Sequence, residues 1–155
     1  YDTYKTVDTS NATFISLFKN CAQLTSAPAL PATKLATSCY EDMFDGCTSL
    51  ETAPELPATQ LASYCYFAMF MGCTSLKTAP ELPATQLASN CYYVMFSGCT
   101  SLSSITMLAT DISATNCLND WVYGVAASGT FTMNADATYA PSEIGIPTAW
   151  TVVNP

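Results

Sequence analysis

The residues of this 155-residue chain best suited to chemistry are its cysteines: Cys21, Cys39, Cys47, Cys65, Cys73, Cys91, Cys99 and Cys117, at spacings that alternate 18 and 8. Thiols can form disulfides, hold a soft metal or act as nucleophiles. The chain has no histidine and no Cys-x-x-Cys, which argues against zinc, and no visible base stands ready to activate a thiolate. An even cysteine count suggests disulfides in an extracellular chain, but here a repeat dictates the count. If Cys39 and Cys47 bracket a helix, they lie about 12 Å apart, too far for a bridge, which needs Cα atoms within about 7 Å. Pairing between neighbours in the column Cys21, Cys47, Cys73 and Cys99 stays conceivable. The favoured reading is reduced thiols serving as small core hydrophobes.

Carboxylates are the other reactive groups. Glu41, Asp42 and Asp45 cluster within one repeat, and Glu55 and Glu81 recur at equivalent positions. The first set reads as a solvated face. The second offers two oxygen donors to a cation, too few for a calcium site. Glu51 and Lys77 are expected to meet on neighbouring strands as a weak surface pair. No metal and no cofactor is expected.

Composition removes whole classes of function. Four lysines, no arginine and twelve acids give a net charge of −8. No basic face can neutralise phosphates, so nucleic acid is excluded as a partner. Without histidine or arginine, the usual general base and carboxylate clamp are missing, and the chain does not read as an enzyme. A carbohydrate-active enzyme built on two facing carboxylates is the weakest reading. No apolar run is long enough to span a membrane. Half the residues are apolar, enough for the core of one domain.

The elements that must position these groups come from a repeat. Leu24, Leu50, Leu76 and Leu102 each open a copy of 26 residues: "LTSAPALPATKLATSCYEDMFDGCTS", then "LETAPELPATQLASYCYFAMFMGCTS", then "LKTAPELPATQLASNCYYVMFSGCTS", then a decayed fourth. A half-copy, Phe14 to Gln23, precedes them. Leucines at this period predict a leucine-rich solenoid, in which stacked coils share one core. The fold class is therefore α/β, with one short strand and one short helix per coil. The strand lies near "LTSA" and ends at Pro28. The helix starts near "ATKLATS" and stops at Gly46, Gly72 or Gly98. Residues 1–23 form an N-terminal cap and partial repeat, residues 24–117 the solenoid, and residues 118–155 a small β-containing C-terminal cap. Short strands at Thr130–Met133 and Trp150–Val153 are expected in that cap, anchored by Trp121, Phe131 and Trp150.

Comparing the copies separates two faces. The invariant columns include Leu35/Leu61/Leu87, Cys39/Cys65/Cys91, Phe44/Phe70/Phe96 and Cys47/Cys73/Cys99, with Tyr40 and Met43 and their equivalents. Their spacing suits the buried stripe of a helix. The variable columns form the opposite face: Ser38, Glu41, Asp42 and Asp45 in one coil become Tyr64, Phe67, Ala68 and Met71 in the next, then Asn90, Tyr93, Val94 and Ser97. Tyr64, Phe67, Ala68, Met71, Tyr93 and Val94 are the candidate ligand-binding residues, because a contiguous exposed apolar patch usually marks a contact surface; the other readings are packing against a copy or a neighbouring domain, and drift on an unselected surface.

The motif MF-x-GCTSL-x-TAP-x-LPAT-x-LA-x-x-CY resembles the BspA-like leucine-rich repeat family in its 26-residue form. The segment "LATDISATNC…W…GVAASGTF…GIPTAWTV" resembles the closing segment of such proteins. The resemblance covers residues 14–155. It implies a right-handed solenoid on a bacterial or phage-encoded extracellular protein, with adhesion or ligand recognition and no common catalytic residue. In that setting the sequon Asn11-Ala12-Thr13 is incidental. The expected function is a non-catalytic recognition or adhesion module at a cell surface or on a phage virion, binding a protein or glycan. The alternative is a structural segment of a fibre or surface layer that self-associates through the patch.

Overall fold

The structure, a computed structural model, describes residues 14–155; the sequon and most of the expected N-terminal cap lie outside them. Successive repeats lie on one another in parallel, one coil per repeat, joined by main-chain hydrogen bonds. The coils contain no α-helix. Among the described residues the one helical segment is a short 3-10 turn, Pro141–Ile144. The expected solenoid with one helix per coil is thus overturned.

In place of the helix, each coil carries a ribbon of overlapping turns. In the first coil the N–H groups of Cys39, Met43 and Cys47 donate three residues back to the carbonyls of Ala36, Tyr40 and Phe44. The alternate N–H groups of Ser38, Tyr40, Asp42, Phe44 and Gly46 donate instead to Ser63, Cys65, Phe67, Met69 and Met71 of the next coil, at 3.0, 3.1, 2.9, 2.9 and 2.8 Å. Every fourth residue is left-handed: Ser38, Asp42 and Gly46 have φ of 56°, 55° and 73°. That suits the third position of a type II turn. The side chains then run two in, two out, a period of four. Over so short a segment, four cannot be told from the helical 3.6, which is why the stripe reads as a helix. Gly46, Gly72 and Gly98 are therefore not helix stops but the last left-handed position of each ribbon.

The strands also differ from expectation. The first three coils give only isolated parallel bridges on this side, such as Ser26 with Thr52 and Thr78 with Ser104. Three true strands follow: β1 (Ser104–Met107), β2 (Thr130–Met133) and β3 (Thr151–Val153), parallel and in that order. Ser104 pairs with Thr130, and Thr130 with Thr151, so the sheet extends the coil stack into the C-terminal segment. Proline explains the change. The first three copies carry two prolines each beside the bridge, whereas none lies between Pro83 and Pro141. With every ladder donor restored, "SITM" pairs over its full length.

The core is a set of columns running through the coils. Phe18, Phe44, Phe70 and Phe96 stack with ring centres 5.5, 5.5 and 5.6 Å apart. Tyr40, Tyr66 and Tyr92 form a second stack, which ends on Trp121. Of the residues expected in the core, Leu35, Cys39, Phe44, Cys47, Cys65, Phe70, Cys73, Leu87, Cys91, Phe96 and Cys99 are buried, while Leu61 is only half-buried. Trp121, Phe131 and Trp150 are buried anchors. The Trp121 indole donates to the Ile144 carbonyl at 2.6 Å and the Trp150 indole to that of Ala126 at 2.8 Å. Gly129 is required between them, since a Cβ there would overlap the Ser103 carbonyl and sit 2.8 Å from the Trp150 ring.

Candidate functional site

The outward columns of the ribbon carry what varies between coils. In the first coil they are polar and tied together. Lys19, from the preceding half-coil, reaches both Asp42 and Asp45 at 2.9 Å. The two carboxylates hold its ammonium well above the usual lysine range. The cluster expected to be a solvated face is thus a lysine-bridged pair of aspartates, with Asp45 largely buried. Glu51 and Lys77 form no ion pair among the described residues.

The next two coils put Ala68 and Met71, then Val94 and Ser97, in place of Asp42 and Asp45, with rings in the columns of Ser38 and Glu41. Tyr64 and Phe67 lie 5.8 Å apart, and Phe67 meets Tyr93 of the following coil edge-on at 5.4 Å. Stacking places positions 26 residues apart side by side, so three rings from two repeats form one surface. Tyr64 is 39% exposed. Phe67, Met71, Tyr93 and Val94 are half-buried by their neighbours. Ala68 is 1% exposed, so it lies beneath the surface rather than on it and is removed from the contact set.

The backbone under these residues is unusual. Tyr64, Ala68 and Val94 have φ of 58°, 50° and 47°. Ser38, Asp42 and Asn90, in the same two columns, belong to types that bond locally to their own backbone, and Asn and Asp tolerate this conformation well. Tyrosine and alanine tolerate it less, and a β-branched valine is an outlier there. Coils two and three thus hold Tyr64 and Val94 at the surface where the backbone disfavours them.

The groups able to do chemistry are placed differently. All eight cysteines are free thiols, and Cys21 alone is exposed. The Cys47, Cys73 and Cys99 thiols donate to the carbonyls of Phe18, Phe44 and Phe70 at 3.0, 3.2 and 3.0 Å. Burial pushes the Cys39 thiol up to about 11 and those of Cys91 and Cys99 to about 12, so none is a ready nucleophile. No group of three or more ligating side chains that could hold a metal occurs among the described residues. Glu55 and Glu81 line a separate groove floored by Pro54, Pro57, Pro80 and Pro83. No helix among the described residues is long and apolar enough to cross a membrane.

Sequence reasoning missed Tyr123. It is 73% exposed, the most open large side chain of the fourth ribbon, and it continues the column of Asp45, Met71 and Ser97. The signal was present: Tyr123 lies 26 residues after Ser97. Decay of the fourth copy hid it. Comparison of the chain with protein-family models, curated proteins and solved structures returns no match. The resemblance to BspA-like repeats is one of motif residues alone.

Proposed function

We propose that this chain is a non-catalytic extracellular recognition module, whose ligand-binding surface is built from Tyr64, Phe67, Met71, Tyr93 and Val94. The observation that carries the reading is the three-ring surface of Tyr64, Phe67 and Tyr93, in columns where the first coil has Ser38 and Glu41. Aromatic rings give rigid contact area at low entropic cost and methionine an adaptable one, and both are enriched at the centres of interfaces. The residue types at Tyr64 and Val94 support it, since the same left-handed positions elsewhere in the ribbons carry Ser38, Asp42, Asn90, Asn116 and Asp120, which suit them better. The proposed ligand is a cell-surface protein or glycan, and the kinship with BspA-like adhesins, itself a proposal, points the same way. The test is the double substitution Phe67→Ser with Tyr93→Ser, assayed for adhesion to cells and for binding to immobilised glycans and surface proteins. Folding should be retained by circular dichroism and adhesion lost. Adhesion that survives in a folded double variant would sink the reading.

A further inference from the structure

The coil stack is stepped at both ends, and the two steps match. At the first end the half-coil, residues 14–23, supplies a ribbon with no strand side opposite it among the described residues. Its core columns run out into the open. Phe14 and Leu17 are 37% and 52% exposed, whereas Tyr40 and Met43, one coil on, are buried. Cys21 is exposed, and Cys47 is buried. At the far end the strand side is the longer one. β2 and β3 lie two rungs past β1, but the fourth ribbon is covered by a single layer, the 3-10 turn Pro141–Ile144 with Gly145 over Val122. Val152 pairs with Phe131, and so stands in the column that faces the core, yet it is 44% exposed while Phe131 and Ile105 are buried. One end lacks a strand and the other lacks a ribbon.

We infer that the far end of one copy receives the first end of another, so that the chain assembles head to tail. β3 supplies the strand missing opposite the half-coil, and the half-coil supplies the ribbon missing opposite β3. The main chain agrees with this register. The Thr151 N–H donates to the Gly129 carbonyl at 2.8 Å, so the Trp150 carbonyl and the Val152 N–H point away from β2. The Glu51 N–H donates to the Thr25 carbonyl at 3.1 Å, so the N–H and the carbonyl of Ser26 point away from the second coil. Each edge thus offers one donor and one acceptor. The Ser26 N–H of one copy meets the Trp150 carbonyl of the other, and the Val152 N–H meets the Ser26 carbonyl, in the same kind of parallel bridge that joins Ser26 to Thr52. Pro28 limits the contact to that one bridge, as prolines do between the first coils. The exposed apolar side chains, Val152 on one end and Phe14 and Leu17 on the other, are buried together. The charges have opposite sign, with Lys34 exposed in the first coil and Asp136 and Glu143 in the closing segment. A contact between unlike ends does not close on itself and propagates. The rungs Ser26, Thr52, Thr78, Ser104, Thr130 and Thr151 set a repeat of about 29 Å per copy. The aromatic surface of coils two and three stays outside the joint.

The test is sedimentation velocity of the full chain under reducing conditions, from about 10 μM to about 1 mM. The protein should grow past a dimer as concentration rises. Val152→Asp and Leu17→Asp each put a charge on a side chain that is exposed in the free copy, so both should fold, as circular dichroism checks. Each alone should weaken self-association about ten-fold or more. Mixed in equal amounts, the two should form a dimer that grows no further, because Val152→Asp keeps a sound first end and Leu17→Asp a sound far end. Should either fail to fold, Val152→Thr or Leu17→Gln takes its place with the same expectation. Phe67→Ser with Tyr93→Ser should assemble like the unaltered chain, which separates this joint from the proposed recognition surface; loss of assembly there would move the contact to that surface and overturn the inference. It is equally overturned if the unaltered chain stays monomeric at about 1 mM, if growth stops at a dimer, which is the mark of two like ends meeting, or if the mixed variants do not pair.

Discussion

At the residue scale, Val94 combines a β-branched side chain with φ of 47° and a place on the proposed binding surface. The left-handed region disfavours such a residue by about 1–2 kcal/mol. Asparagine suits it, as Asn20, Asn90 and Asn116 show in their own ribbons. Val94→Asn should therefore raise the melting temperature by about 2–4 °C while weakening ligand binding, the trade expected where function has displaced stability. Melting curves and the adhesion assay read the two effects separately. Only Cys21 is exposed among the cysteines, so a thiol reagent should modify one cysteine of the native chain and eight of the denatured chain. More than one fast-reacting thiol in the folded protein would contradict the buried columns. Free thiols in the core were legible from the sequence, because the repeat forces cysteine into invariant positions. The burial of Ala68 was not, because a small residue in a variable column looks like surface until its neighbours are in place.

At the element scale, what could be read from the sequence was which residues face in, not what the backbone does. Cys39, Tyr40, Met43, Phe44 and Cys47 are all buried, as their invariance required. The two-in, two-out order of a turn ribbon and the stripe of a helix share those residues. What separates them is the left-handed residue at every fourth position. Glycine reveals it only at the last of these, while Ser38, Asp42, Tyr64 and Ala68 conceal it. The strands expected at Thr130–Met133 and Trp150–Val153, the second observed one residue shorter as Thr151–Val153, were legible because alternation and β-formers follow the last prolines of the repeats. The ribbon's strength lies in its stacked rings. Phe70 is fully buried between Phe44 and Phe96, so Phe70→Ala should cost about 3–5 kcal/mol in urea denaturation. A cost near that of an exposed residue would show that the phenyl column carries little of the packing.

At the scale of the whole molecule, the buried columns make stability depend on alkaline pH. Cys39, Cys91 and Cys99 titrate near 11, 12 and 12 in the folded chain, and Tyr40 is pushed up to about 12, in each case chiefly by burial. Unfolded cysteine ionises near about 8.5. The unfolded state therefore releases protons that the folded state keeps. Stability is intact below about pH 8.5 and falls as pH rises toward the folded values, by up to about 1.4 kcal/mol per pH unit for each such thiol. The urea midpoint, measured under reducing conditions, should drop between pH 8 and pH 10; a flat profile would contradict the buried thiols. The ribbon has an electrical consequence at this same scale. The peptide unit that accepts from the coil before, such as Glu41–Asp42, is the same unit that donates to the coil after. These units all point one way along the stack, and each carries a dipole of about 3.5 D. Sheets largely cancel such moments, whereas here they add from coil to coil. Among the described coils the ribbon backbone thus carries a moment along the stack, with its positive pole at the fourth ribbon beside Asp120 and its negative pole at the half-coil that holds Lys19. This backbone contribution grows with every repeat added.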